Sequence, residues 1–238
     1  MRVLILAGGL GTRLQALVPD RPKPMAEVAG KPFLAYQVEQ LRAQGFTELV
    51  LCLGHRAGQI QGHFGDGGRW GVSIAYSNEP ELWGTAGAIK NARAWIEEPF
   101  LVLNGDSYLE VDLPALVEFH RKERAAEART QGTLAALAVE EAGAYGTLKL
   151  DGQGRIRRFR EKAGGGPGWI NGGVYVLEPD VLDLIPGDRA VSLERETFPL
   201  ILERGGCLHG YPVQGFFADI GTPAGYRRFQ SYVEEKGL

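Results

Sequence analysis

Residues 2–25 read RVLILAGGLGTRLQALVPDRPKPM. The apolar run Val3–Ala7 has the length and composition of a buried strand, and Gly8, Gly9 and Gly11 follow it at once. A strand that ends in a glycine-rich turn lets backbone N–H groups approach an anion closely, because no Cβ stands in the way. Arg13 and Lys23 add the cationic charge that a triphosphate requires. The two commonest nucleotide fingerprints are absent. A dinucleotide loop would need glycine at position 14, where Leu14 stands, and no G-K-[ST] of a P-loop occurs in the chain. The stretch therefore reads as a phosphate-handling loop of a third kind, on the end of a strand.

Working outward, short apolar runs alternate with helical periodicity. Strands are predicted at Glu48–Leu53, Val72–Tyr76 and Phe100–Leu103. A helix opens at Pro32-Phe33, carries Leu34, Val38 and Leu41 on one face, and is stopped by Gly45. Further helices are predicted at Gln59–Phe64, Ala86–Ile96 and Leu113–Arg124, the last with Leu116 and Phe119 inward. Alternation of this kind indicates an α/β fold: a Rossmann-like, mostly parallel sheet with helices on both faces. The texture then changes to strands joined by short Gly/Asp turns, at Thr133–Val139, Gly146–Leu150, Ile156–Arg160 and Gly173–Leu177, so the sheet is mixed. Helices at Leu193–Glu203 and Ala224–Glu235 flank a strand near Phe216–Ile220. No linker-like composition divides the chain. One domain over 1–238 is expected, with a nucleotide-binding lobe at about 1–125 and a substrate-covering lobe at about 126–238.

A chain of 238 residues, 44% hydrophobic, can bury a proper core. A net charge of −3 argues against nucleic acid or an anionic membrane as partner. No apolar run nears the roughly 20 residues of a membrane span, and glycines end the first apolar stretch too early for a leader. Cys52 and Cys207 read as reduced, buried thiols, which fits a cytoplasmic protein. His55, His63, His120 and His209 lack metal-ligand spacing and read as structural or surface residues.

Ligands of an open parallel sheet sit at the carboxyl ends of its strands. Four segments are predicted there: Gly8–Arg13; Glu79-Pro80 with Gly84-Thr85-Ala86-Gly87; Asn104-Gly105-Asp106; and Asp219-Ile220-Gly221-Thr222. Asp106 follows the run FLVL through Asn-Gly, which would expose a carboxylate at the sheet edge. Asp219 lies between apolar residues, where a carboxylate is costly unless paired or metal-bound. Together they suit Mg²⁺, which takes one or two carboxylates with phosphate oxygens and water.

The pattern G-G-x-G-T-R-L followed by P-K-P resembles that of the sugar nucleotidyltransferases, the NDP-sugar pyrophosphorylases. The strings LNGDSYLEVDL, PGWINGGVYVL and FFADIGTPAGYRRFQ make the chain most similar to the short D-glycero-α-D-manno-heptose 1-phosphate guanylyltransferases, over Arg2 to about Gln230. The resemblance implies a GT-A-like nucleotidyltransferase fold and transfer of a nucleotidyl group from an NTP, expected to be GTP, to a sugar 1-phosphate. It implies Arg13, Lys23 and Asp106 as catalytic residues and Asp106 with Asp219 as ligands of Mg²⁺. Leu6, Ala7, Gly8, Gly9, Gly11, Thr12, Arg13, Lys23, Glu79, Gly84, Thr85, Asn104 and Asp106 are then expected at the nucleotide. Gly105, Glu161, Lys162, Asn171, Gly172 and Asp219 are expected at the sugar phosphate. Trp169 reads as core. The chain departs from many relatives at Gln15, where they carry arginine after G-T-R-L; triphosphate charge neutralisation is then either weakened or shifted to Arg21.

The implied chemistry needs no general base, because a phosphate monoester is already anionic near neutral pH, its second pKa being about 6. It needs positioning and charge neutralisation between two anions. Mannose-1-phosphate guanylyltransferase and uridylyl- or thymidylyltransferases acting on N-acetylmuramate or glucose 1-phosphate are alternatives. A non-catalytic nucleotide-sugar sensor would not need two metal carboxylates. A dehydrogenase would need an acidic residue ending the second strand, where Leu53-Gly54-His55 stands. Self-association is left open.

Overall fold

A computed structural model of the protein describes residues 1–9, 20–143, 145–161 and 165–238, without the side chains of Arg160 and Glu161. In chain order the strands and helices are β1 (Val3–Leu6), β2 (Glu27–Val28), β3 (Lys31–Pro32), α1 (Phe33–Ala43), β4 (Glu48–Leu53), α2 (Ala57–Phe64), β5 (Ser73–Asn78) and α3 (Gly84–Asn91). They continue with β6 (Phe100–Asn104), β7 (Ser107–Leu109), α4 (Leu113–Ala126), β8 (Thr130–Val139), β9 (Gly146–Leu150), β10 (Ile156–Glu161) and β11 (Gly168–Leu177). The last are α5 (Phe198–Glu203), β12 (Cys207–Val213), β13 (Phe217–Asp219) and α6 (Pro223–Lys236).

Among the described residues nine strands form the main sheet, with β10, β9, β11, β6, β1, β4 and β5 in line and β8 and β12 stepping off β11. The pairs β1–β4, β1–β6 and β4–β5 are parallel, as the alternation predicts. β11 runs antiparallel to β6, β8 and β9. Its amino-terminal part pairs with β9 and its carboxyl-terminal part with β6, while β8 follows its opposite edge.

The parallel strands are apolar on both faces because helices cover both. Val3 and Ile5 of β1 join Leu34, Val38 and Leu41 of α1, Phe64 of α2 and Leu116 of α4 in one core. Leu4, one residue out of phase, joins Ala88 and Ile89 of α3 and Phe198 and Ile201 of α5 on the opposite side. This is the period-two division of a strand between two layers. A third cluster seats α6, through Phe229, Tyr232 and Val233, on Phe33, Tyr36, Tyr108 and Ile220. Caps fit the boundaries: Asp112 accepts from Ala115 N to start α4, and Thr222 accepts from Gly225 N to start α6.

Several expectations are corrected. The helix expected over Ala86–Ile96 is α3 plus a separate 3₁₀ turn at Arg93–Trp95. The helix expected over Leu193–Glu203 is a π turn, Leu193–Thr197, before α5; Pro199, which has no N–H to donate, stands in the first turn of α5. β11 begins at Gly168, not Gly173: Gly172-Gly173 reads as a turn but forms a bulge inside the strand, with Gly173 at φ +72°. β12 is not among the expected strands; it carries Gly210 and Pro212 and lies at the edge beside β8, where proline is tolerated. β13 is not part of the parallel sheet; it pairs antiparallel with β7 in a small sheet of its own. Phe119 is only half-buried. Cys52 and Cys207 are both buried free thiols, and Trp169 packs against the second core. No helix of the described residues is long and apolar enough to cross a membrane.

Candidate functional site

The chain leaves β1 toward β4 on one side and β6 lies on the other, so the strand order reverses at β1. A crevice at the carboxyl ends of the strands is expected at such a reversal. Leu6 ends β1 in register with Asn104 at the end of β6. Beyond them opens a cleft of about 380 Å³, lined by Leu6, Ala7, Gly8, Gly9, Lys23, Pro24, Glu79, Leu82, Gly84, Thr85, Ala88, Asn104, Gly105 and Asp106.

Two glycines are required by close approach. A Cβ on Gly105 would stand 2.7 Å from the Leu6 carbonyl oxygen, to which the Gly105 N–H donates at 3.0 Å. A Cβ on Gly8 would stand 2.9 Å from Glu79 Oε2 and 3.0 Å from Gly54 N. Glu79 lies against this turn and accepts the Trp83 N–H at 3.0 Å. Burial pushes its carboxyl above the ordinary range, and the Trp83 N–H partly opposes that. Leu82 is 41% exposed, a large apolar side chain on the cleft wall.

The amino end of α3 lies on the same wall, with no capping side chain and no acid in its first turn. Such an end favours an anion. It is held by the 191–194 segment: Ala86 N donates to Val191 O at 3.0 Å, and the Thr85 hydroxyl accepts from Leu193 N and donates to Glu194 Oε2. Glu194 also accepts from Tyr175 OH at 3.2 Å, and that hydroxyl accepts from Asn171 Nδ2 at 2.8 Å. The Thr85 side chain is thus engaged inside the protein while the residue lines the cleft.

The charges gather at the other end. Lys23 Nζ donates to Asp106 Oδ2 at 2.7 Å, with the lysine side chain 10% and the aspartate 39% exposed. Ile220 N donates to Asp106 O at 2.9 Å, and β13 sets Asp219 opposite Ser107. Asp219 Oδ1 accepts from Gly221 N at 2.6 Å. A Cβ on Gly221 would lie 2.7 Å from Asp219 Oδ1 and 2.8 Å from Lys23 Nζ. The small β7–β13 sheet therefore brings Asp219 close to the Lys23–Asp106 pair, although Asp106 is 113 residues away in sequence, 219 minus 106. Among the described residues no group of three or more His, Cys, Asp or Glu side chains could hold a metal. Two carboxylates with phosphate oxygens and water completing the shell is a donor set that Mg²⁺ takes, so the residues fit that ion.

Of the predicted site, Leu6, Ala7, Gly8, Gly9, Lys23, Glu79, Gly84, Thr85, Asn104, Gly105 and Asp106 meet at the cleft, with Asp219 beside Asp106. Asn171 and Gly172 are not on its lining: the Asn171 amide bonds Tyr175 OH and Gly173 N within β11, and a Cβ on Gly172 would meet Leu109 and Leu137 at 2.9 Å. Arg21 is not on the lining either; its guanidinium donates to Glu27 at 3.3 Å on the exposed surface. Gly11, Thr12, Arg13 and Lys162 lie outside the described residues, as does the Glu161 side chain. Pro24, Leu82 and Ala88 also line the cleft without having been assigned to it: Pro24 closes the P-K-P string, Leu82 lies between the Glu79-Pro80 and Gly84–Gly87 segments, and Ala88 follows the latter.

A family profile described as nucleotidyl transferase matches residues 2–236. The chain is 37% identical over 228 residues to a mannose-1-phosphate guanylyltransferase of Mycobacterium tuberculosis and 38% identical over 229 residues to a mannose-1-phosphate guanyltransferase of Yarrowia lipolytica. Each match takes in 94% of this chain but only 62% and 61% of those relatives' lengths. Among solved structures, HddC from Yersinia pseudotuberculosis superposes with a TM-score of 0.86 at 33% identity, over 97% of this chain and 98% of that one. The same protein complexed with GMP-PN gives 0.85. A putative glucose-1-phosphate thymidylyltransferase of Bacillus anthracis, 22% identical with a TM-score of 0.85 over 98% of this chain and 94% of its own, shares the fold. The chain belongs to the nucleotidyl transferase family.

Proposed function

We propose that this protein transfers a guanylyl group from GTP to a manno-configured sugar 1-phosphate, releasing pyrophosphate. The observation that carries this reading is the Lys23–Asp106 pair at the switch point between β1 and β6, at the edge of a cleft walled by glycine backbone. An oxygen of the sugar 1-phosphate attacks the α-phosphorus in line, the bond from that phosphorus to the bridging oxygen breaks, and pyrophosphate carries away the electron pair. The nucleophile needs no base, so the protein's part is to bring two anions together and balance their charge.

Gly8, Gly9 and the amino end of α3 present backbone to the phosphates. Lys23 donates to a phosphate oxygen from its place beside Asp106. Arg13 and Lys162, expected from their motifs, would add charge at the leaving phosphates and at the sugar phosphate. Asp106 and Asp219 would hold Mg²⁺. When bound, the ion would supply positive charge to offset the negative charge of the phosphates. Glu79 is an acceptor suited to the N1–H and N2–H₂ donors of guanine. The guanylyl preference is supported by relatives so named and by the GMP-PN complex of HddC.

The acceptor follows from the motif strings, which favour the heptose 1-phosphate. The names of the curated relatives favour mannose 1-phosphate as a second reading. The two sugars differ at the end remote from the reacting phosphate. Incubation with each of GTP, UTP, CTP, ATP and dTTP and a panel of sugar 1-phosphates, read by pyrophosphate release, tests both halves. Release with GTP and a manno-configured acceptor is expected. Preference for UTP or dTTP would overturn the guanylyl assignment, and no release with any pair would overturn transfer itself.

A further inference from the structure

Helix α1 packs among apolar residues, yet Gln37 in its middle is 1% exposed. Its Nε2 donates to two carbonyls, Asn104 O at 2.9 Å and Ser107 O at 2.8 Å. The same face of the helix continues the pattern. Gln40 Nε2 donates to Leu109 O at 2.7 Å, and Gln44 Nε2 to Val111 O at 3.1 Å, while Gln44 Oε1 accepts from Leu113 N at 2.8 Å. Residues 37, 40 and 44 follow the i, i+3, i+7 spacing of one helix stripe. On the strand side, Ser107, Leu109 and Val111 alternate with Asp106 and Glu110, whose backbones bond the β13 side through Ile220 N and Phe216 O. One edge of the 104–111 segment is thus paired by a strand, and the other by side-chain amides.

Gln37 differs from its neighbours in where it acts. Its two bonds fall on either side of Gly105-Asp106. Its own Oε1 is buried with no hydrogen-bond partner among the described residues. A buried orphan acceptor is a cost, and reversing the amide would set oxygen against two carbonyl oxygens. A leucine would fit this apolar face without that cost, but it would strip both carbonyls of their donor. The donor end alone accounts for the residue.

We propose that Gln37 is a positioning residue that clamps the Asn104–Ser107 turn and so sets the direction of Asp106. The inference rests on the functional reading above for the role of Asp106. Two readouts test it in Gln37→Leu, with Gln40→Leu as the comparison, since Gln40 bonds the same segment beyond the turn. Amide hydrogen exchange over 104–107 should quicken in Gln37→Leu and stay unchanged in Gln40→Leu. With GTP, kcat should fall at least tenfold in Gln37→Leu while KM for GTP moves less than threefold, and kcat in Gln40→Leu should stay within threefold. Unchanged exchange at 104–107, or a kcat loss no larger than that of Gln40→Leu, would overturn the proposal. Should Gln37→Leu fail to fold, Gln37→Glu, of the same shape but facing the carbonyls with oxygen, is read by the same two criteria. If the unaltered protein transfers nothing, the functional reading fails, and the exchange result alone decides the clamp.

Discussion

Lys23 Nζ and Asp106 Oδ2 lie 2.7 Å apart, joining the 3₁₀ turn Lys23–Met25 to the end of β6. The lysine is almost wholly enclosed, so its charge acts at a fixed point and not through a diffuse field. Lys23→Met keeps the length and removes the charge. One charge-assisted hydrogen bond is worth about 1.5–3 kcal/mol, which corresponds to a loss of about tenfold to hundredfold in kcat/KM for GTP. Pyrophosphate release against GTP concentration checks this, with circular dichroism confirming the fold. A change below threefold would remove Lys23 from the phosphate site.

The β7–β13 pairing sets Asp219 opposite Ser107, the residue after Asp106, and Ile220 N donates to Asp106 O. Turnover should stop in excess EDTA and return on adding Mg²⁺. Asp106→Asn should lose at least a hundredfold in kcat with little change in Tm, because the side chain keeps its shape and loses the charge a divalent ion requires. Asp219→Asn should raise the Mg²⁺ concentration needed for half-maximal rate. Full turnover in EDTA would refute the metal requirement.

Glu79 sits against Gly8 with one oxygen on the Trp83 N–H. If it accepts from guanine, Glu79→Ala should lower the ratio of kcat/KM for GTP to that for UTP by tenfold or more, since a buried donor on the base is left unpaired. Competition between the two nucleotides in one reaction measures that ratio directly. Equal losses for both would make Glu79 a wall of the cleft and not a reader of the base.

Two buried histidines set an acid limit on stability. His209 contacts Thr130 and Cys207 and stands 3.2 Å from Glu123; His120 contacts Thr133 and Glu178. Burial holds both below the usual 6.5, with Glu123 and Glu178 opposing it. The unfolded chain therefore takes up these protons first as the pH falls. The stability due to the neutral rings is complete above about pH 6.5 and drains away below it. Tm measured from pH 7.5 to 5 should fall, and His209→Gln should flatten the slope. An unchanged slope in that variant would exclude His209 as a source.

Much of the parallel half was legible because its signal is local. Runs such as ELVLCL and FLVL are buried on both faces and need no partner to be recognised, and the glycine and Asn-Gly-Asp turns fall at their ends. The rest depends on pairings distant in sequence. Nothing in FFAD says that it will lie against Ser107–Leu109 and not in the main sheet. The Thr85 hydroxyl reads as a ligand donor until Glu194 is found on it, 109 residues later. Gln37 belongs to no motif of the sequence, and only the fold reveals the two carbonyls it serves. Arg21, the expected relief for Gln15, finds Glu27 instead.

β11 has a consequence for how segments of this architecture can be exchanged between relatives. The same ten residues pair with β9 at one end and with β6, the strand that delivers Asp106, at the other, while β8 follows the opposite edge. There is no loop between those two ladders at which residues 130–171 could be exchanged as a cassette apart from the part of β11 that pairs with β6. A chimaera cut there would have to splice within a paired strand, and a register slip of one residue would reverse every side chain facing the β6 ladder. Interchange of whole segments between relatives is thereby discouraged, and variation within this sheet is left to point replacements on a fixed frame.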